Sequence, residues 1–163
     1  MISKTDNPIF AALDTDDLGR ARTLADSLTG AVGGIKLGKQ FFTAHGPQGV
    51  NDVRPDGMPL FLDVKFHDIP NTVAGAVRSV MPLAPKILNV HASGGPAMMK
   101  AALDAANFAA EPMGIVRPMV IAVTVLTSID ENDLSAVGQS TQAEDQVVRL
   151  WKFAPEPVIC FDG

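Results

Sequence analysis

The chain has 163 residues, of which 47% are hydrophobic and 19% charged, as is typical of one globular domain with a large apolar core. Its formal net charge of −5 argues against a nucleic-acid partner, so an anionic ligand would need a local cluster of basic side chains. The single cysteine, Cys160, excludes an intrachain disulfide, which fits a cytoplasmic location. Residues 1–8 show no secretory signal. The longest apolar run, at residues 119–126, is too short to span a membrane.

Short apolar runs recur along the chain and predict strands at residues 9–14, 32–37, 60–65, 87–91 and 119–125, with a less regular sixth at 157–161. Helical periodicity lies between them at residues 16–28, 72–80 and 96–110, and the polar segment 127–142 is predicted to be a loop leading to a helix near Thr141. This alternation is typical of βαβ units in a parallel sheet. A (β/α)8 barrel and a doubly wound open sheet share the pattern, so spacing alone leaves both open.

Polar side chains collect at the C-terminal ends of the predicted strands, where a parallel-strand barrel carries its active site. They are Asp14, Lys36, Asp63, Lys65, His91, Thr124 and Thr127.

Asp63 and Lys65 are two positions apart on the third predicted strand, so both side chains are expected on one face of the sheet. Because charged groups are costly to bury under helices, that face is expected to be the lumen of a barrel. Lys36 on the neighbouring strand and Asp68 on the following loop are expected to complete an array of two lysines and two carboxylates. A lone Asp-x-Lys pair is more often a plain ion pair, but four charged groups at strand ends favour a catalytic site. Carboxylates favour the ammonium form of a nearby lysine, which makes Lys65 a candidate general acid for a developing carbanion.

Residues 63–72, with the sequence DVKFHDIPNT, resemble the signature of the orotidine 5′-phosphate decarboxylases. Shorter stretches at residues 12–14, 35–38, 89–92 and 123–128 resemble the ends of that family's first, second, fourth and fifth strands. The resemblance runs from about residue 7 to residue 150. It implies a (β/α)8 barrel that converts orotidine 5′-monophosphate to uridine 5′-monophosphate, a step of pyrimidine biosynthesis, with no metal or organic cofactor.

The resemblance also implies roles for the charged residues. Lys65 would protonate pyrimidine C6, Asp63 would lie beside the leaving carboxylate, and Lys36 would hold Asp63 and the ribose. Asp14 would contact the ribose, and Thr127 would meet the pyrimidine.

In the same family, residues of the signature reach into the active site of the partner subunit. Carried over, these are Asp68, Ile69 and Thr72, which implies a homodimer with shared active sites. The three histidines lack paired spacing, so a zinc site is not expected.

A complete barrel typically needs about 250 residues, with roughly 200 as a lower limit. We therefore expect one C-terminally truncated barrel domain over residues 1–163, with five to six of the eight β/α units. Residues 151–163 form an atypical tail, in which Pro155 and Pro157 would break a helix. The family's phosphate-binding residues follow its last strands and have no counterpart here, so severely reduced or absent turnover is expected.

Two other functions remain open at this point. One is a magnesium-dependent sugar-phosphate decarboxylase or aldolase of the same suprafamily, which also carries an Asp-x-Lys-x-x-Asp pattern; the run at residues 68–72 argues against it. The other is an inactive barrel fragment that pairs with a full-length subunit without catalysing a reaction itself.

Overall fold

The computed structural model describes residues 7–139 and 142–161. Parallel strands form one six-stranded sheet in the order β1-β2-β3-β4-β5-β6. Their bounds are β1 Phe10–Ala12, β2 Gly34–Gly38, β3 Leu60–Phe66, β4 Ile87–His91, β5 Met119–Val123 and β6 Ile159–Phe161. Each strand pairs with its predecessor in the chain, without the reversal of strand order that defines a doubly wound sheet. The winding is therefore that of a barrel, with six of the eight strands of the (β/α)8 family described.

Helices connect these strands on the outside of the sheet. Their bounds are α1 Leu18–Ser27, α2 Lys39–Val53, α3 Pro70–Val80, α4 Gly95–Met113, α5 Glu131–Ala136 and α6 Ala143–Trp151. In the parts of the chain that the structure describes, none is long and apolar enough to cross a bilayer.

Two helices differ from the sequence-based expectation. The predicted loop at 127–142 was wrong in part, because α5 forms there, with a capping box in which Asp130 and Asp133 each accept from the other's backbone N–H. One short turn of helix gives too little periodicity to detect. The helix α2 was not predicted, since Gly46 (φ 60°) and Pro47 interrupt its periodicity and divide it into two helical segments. Thr141, the expected start of the last helix, lies outside the described residues, and α6 begins at Ala143.

Alternate residues of the strands form the hydrophobic core between sheet and helices. Ile35 and Leu37 of β2, Leu62 of β3, and Leu88 and Val90 of β4 are all 0% exposed. They belong to two buried clusters completed by helix residues. Each such side chain contributes roughly 1.5–3 kcal/mol when fully buried. The other alternate set, which includes Lys36, Asp63 and Asn89, therefore lies on the opposite, lumen face.

The packing of β1 against β2 depends on a glycine, Gly34. Gly34 pairs with Phe10, whose ring meets that of Phe61 edge to face at a centroid distance of 6.4 Å. A Cβ on Gly34 would overlap the Phe10 ring and lie 2.7 Å from the carbonyl oxygen of Pro59. The missing side chain thus allows these two rings to pack across β2.

Candidate active site

Asp63 on β3 is ion-paired with two lysines. Nζ of Lys36, on β2, donates to Oδ2 at 2.8 Å, and Nζ of Lys65 donates to Oδ1 at 2.6 Å. The Asp63 side chain is only 8% exposed, while those of Lys36 and Lys65 are 27% and 24% exposed. Two ammonium groups thus share one buried carboxylate, which leaves one positive charge in excess and accessible to an anion.

The strand register brings Lys36 to Asp63. Gly38 is the register partner of Asp63, and Lys36 is the partner of Phe61, so Lys36 and Asp63 lie on the same face of neighbouring strands. The flexible four-carbon stem of lysine spans the step along the strand direction.

Lys65 has an unusual backbone. Its φ is 51°, a left-handed conformation that costs a residue with a side chain roughly 1–2 kcal/mol. The register between β3 and β4 shifts here. Between the paired positions Leu62↔Leu88 and Phe66↔Val90, β3 advances by four residues while β4 advances by only two. The contact between Lys65 and Asp63 was expected from regular strand alternation, but the structure makes it within a bulge that interrupts that alternation.

Asn89, which entered the sequence analysis only as part of a short resemblance, lies opposite this bulge. It is 0% exposed; its Nδ2 donates to Oδ1 of Asp63 at 2.7 Å, and its Oδ1 accepts from the backbone N–H of Lys65 at 2.8 Å. The signal available in the sequence was a polar amide within an otherwise apolar strand.

The partners of Asp63 decide its charge. Burial alone would raise the pKa of its carboxyl group, but the hydrogen bonds from Lys36, Lys65 and Asn89, with the charge of Lys36, outweigh burial and lower the pKa to about 2. Asp63 is therefore ionised throughout the neutral range.

Two histidines adjoin the site. The rings of His67 and His91 have centroids 5.4 Å apart. Burial lowers the pKa of His91 to about 4, with further lowering by the charges of His67, Lys39 and Lys65, against an opposing effect of Asp63. His67 is exposed, and His91 ends β4. Both border a cavity of about 440 Å³, whose lining residues are Lys39, Phe42, Thr43, Val64, Lys65, Phe66, His67 and His91.

The remaining predicted site residues lie on exposed segments beyond the strand ends. They are Asp14 after β1, Asp68 and Ile69 before α3, Thr72 in the first turn of α3, and Thr127 after β5.

Asp68 does not join the charged cluster within this chain. Its Oδ1 accepts from the backbone N–H of Ile69 at 2.7 Å, and the ion pairs seen across residues 7–139 and 142–161 do not include it. The expected array of two lysines and two carboxylates is thus present as two lysines and one carboxylate. Asp68 is exposed on the segment between β3 and α3. Over the same two ranges, no group of three or more His, Cys, Asp or Glu is arranged to hold a metal ion.

Comparisons with known proteins agree with this architecture. Residues 7–161 match the family model of the orotidine 5′-phosphate decarboxylase / HUMPS family. The chain is 58% identical to the orotidine 5′-phosphate decarboxylase of Rhodospirillum rubrum, over 92% of this chain and 61% of that protein. It is 51% identical to the enzyme of Paramagnetospirillum magneticum, over 92% of this chain and 64% of that protein. The chain thus spans less than two thirds of the length of these relatives.

A solved structure of an orotidine 5′-phosphate decarboxylase also matches this chain. Orotidine 5′-phosphate decarboxylase from Lactobacillus acidophilus superposes with a TM-score of 0.77 at 32% identity, over 91% of this chain and 66% of that chain. The match at residues 7–161 includes β6, and so most of the segment 151–163. The barrel winding, the relatives at 58% and 51% identity and the matched family model agree, and the chain belongs to the orotidine 5′-phosphate decarboxylase / HUMPS family.

Proposed function

We propose that this chain carries the proton-donating and carboxylate-expelling part of an orotidine 5′-monophosphate decarboxylase. The observation that supports the proposal most is Asp63 held between Lys36 and Lys65 on the lumen face. The excess positive charge of this cluster attracts a substrate anion in a chain whose net charge is −5.

The proposed reaction needs only groups of the protein and the substrate. The substrate carboxylate lies beside ionised Asp63, and their repulsion is relieved as the C6–carboxylate bond breaks and carbon dioxide leaves. The electron pair of that bond remains on C6. The ammonium group of Lys65 transfers its proton to C6, and the resulting neutral amine takes a proton from water. General acids of this kind contribute about 10²–10⁴-fold to a rate.

Lys36 serves this reaction by holding Oδ2 of Asp63, and we assign it a contact with the ribose. We assign the ribose contact also to Asp14 and the pyrimidine contact to Thr127, both exposed at the rim.

We further propose a homodimer with shared sites, in which Asp68, Ile69 and Thr72 enter the partner's site. Ile69 is 66% exposed, although it is large and apolar, which suits a residue that a second copy covers. Sedimentation velocity of the wild type and of Ile69→Asp tests this: a dimer that Ile69→Asp converts to folded monomer supports it, and a monomeric wild type contradicts it.

The decarboxylation assay uses purified chain and orotidine 5′-monophosphate, with uridine 5′-monophosphate measured by chromatography over long incubations. Formation above the background without protein, and its loss in Asp63→Asn, support the proposal. No formation at high substrate concentration would overturn it and leave an inactive barrel fragment.

A second arm of the assay addresses the magnesium-dependent alternative. Both oxygens of Asp63 accept from cationic donors, which leaves this carboxylate poorly suited to a divalent cation. Activity that survives EDTA agrees with the proposed reaction, whereas activity that is lost with EDTA and restored by magnesium favours the alternative.

A further inference from the structure

The bulge in β3 leaves a backbone N–H, that of Lys65, without a backbone partner in the ladder with β4. A residue inserted into a strand leaves the ladder locally unpaired, and a buried backbone N–H without a partner is costly. At Lys65 the N–H is satisfied by a side chain, Oδ1 of Asn89 at 2.8 Å. The amide of the same residue donates to Asp63 at 2.7 Å, and Asn89 is 0% exposed, so a fully buried carboxamide makes both bonds.

We propose that Asn89 is a positioning residue for the Asp63–Lys65 pair. One end of its carboxamide holds the backbone of Lys65 in the left-handed conformation, and the other end fixes Oδ1 of Asp63. The ammonium group and the carboxylate then keep one mutual geometry. This inference deepens the proposed function and rests on it for its catalytic meaning, since it concerns the same proton donor.

Asparagine suits this position for a chemical reason. Its planar carboxamide offers one acceptor and donors on a single short side chain, and the two neighbours determine its orientation, because an N–H needs an oxygen and a carboxylate needs a donor. Leucine of similar size offers neither group. Aspartate keeps an acceptor for Lys65 but replaces the donor toward Asp63 with a carboxyl oxygen.

The amide also leaves the charge balance of the site intact. A neutral donor stabilises ionised Asp63 without adding charge, so the two lysines keep their excess over one carboxylate. A second carboxyl group at position 89 would either ionise and remove that excess or share a proton with Asp63, as close carboxyl pairs do.

The experiment compares wild type, Asn89→Asp and Asn89→Leu by NMR, and its two NMR readouts do not need decarboxylation. The first readout is amide hydrogen exchange at Lys65, and the second is the titration of the Asp63 carboxyl carbon. Leu88→Val is the matched control, since Leu88 is equally buried on β4 but faces the helices. It lowers stability without touching the carboxamide.

We expect Asn89→Leu to speed exchange at Lys65 about tenfold relative to neighbouring amides, the effect of one lost hydrogen bond. Asn89→Asp should retain the protection of Lys65 while the pKa of Asp63 rises from about 2 toward its ordinary value. Leu88→Val should change neither. Where turnover is measurable, Asn89→Asp should lower kcat with little change in KM.

Unchanged titration of Asp63 in Asn89→Asp would overturn the inference, and this nearly isosteric variant remains decisive if Asn89→Leu does not fold. Unchanged relative exchange at Lys65 in a folded Asn89→Leu would do the same. A chain that shows both NMR effects but forms no uridine 5′-monophosphate would sink the proposed function and leave the structural role of Asn89 standing.

Discussion

Nζ of Lys65 lies 2.6 Å from Oδ1 of Asp63, and Lys65 makes this contact from a backbone whose φ is 51°. Residues in sparsely populated conformations persist only where the surroundings hold them, and they cluster at functional sites. Here the ion pair and the carboxamide of Asn89 hold the backbone of Lys65 in a bulge. The strained residue is also the one to which we assign the proton transfer.

Replacing Lys65 by Ala should lower the formation of uridine 5′-monophosphate by at least about 100-fold, the smallest contribution expected of a general acid. The fold should persist, because the Lys65 side chain is 24% exposed and Asp63 keeps its bonds to Lys36 and Asn89. The measurement is the rate of product formation, with circular dichroism as the check on folding. Lys100→Ala is the control, since Lys100 forms an exposed helix-surface pair with Asp104. Equal rates for Lys65→Ala and wild type would contradict the assignment.

Asp63 should make the protein acid-sensitive below about pH 4. Its pKa is about 2 in the folded protein and about 3.9 in an unfolded chain, so the unfolded state takes up the proton first. The stabilisation is complete above pH 4 and is lost as the pH falls toward 2, by about 2 kcal/mol. Urea denaturation at a series of pH values measures this, and Asp63→Asn should remove that part of the pH dependence. Asp104→Asn, which alters an exposed pair, should leave it unchanged.

His91 should add a second pH-dependent loss of stability, between pH 6.5 and 4. Its pKa is about 4 in the folded protein against an ordinary value of 6.5, so as the pH falls the unfolded state again binds the proton first. His91→Asn should flatten the curve of unfolding free energy against pH in this window.

His67→Asn should raise the pKa of His91, because it removes one of the positive neighbours that lower it. Histidine NMR titration measures this, and an unchanged His91 titration would argue against that coupling.

Gly34→Ala should destabilise the fold by about 1–3 kcal/mol, the usual cost of overpacking. The added methyl group would meet the Phe10 ring of β1 on one side of β2 and the carbonyl of Pro59, which precedes β3, on the other. Gly75→Ala is the matched control, since Gly75 lies within α3 and its Cβ would approach no heavy atom closer than 3.8 Å. There alanine should stabilise by roughly 0.5–1 kcal/mol through helix propensity. Urea midpoints of both variants check the prediction, and a shift of the same sign in both would refute it.

Much of the architecture could be predicted because strand signals are local. The fourth strand was predicted with its observed bounds, and the third differed by one residue. The first strand, expected at 9–14, is only Phe10–Ala12, since a strand's length depends on the partner with which it pairs. The helix α5 escaped detection because its six residues contain too little periodicity.

The sequence by itself determined that charged residues stand at the ends of apolar strands, because alternation and composition are properties of neighbouring residues. Only the tertiary structure decided between a barrel and a doubly wound sheet, since strand order depends on contacts between distant segments. It also decided that Asp63 meets two lysines while Asp68 is exposed and outside these ion pairs, and that Asn89 reaches across 24 positions to the backbone of Lys65. Such contacts follow from register and from a bulge, which are set by pairing between strands and leave no signal within either strand alone.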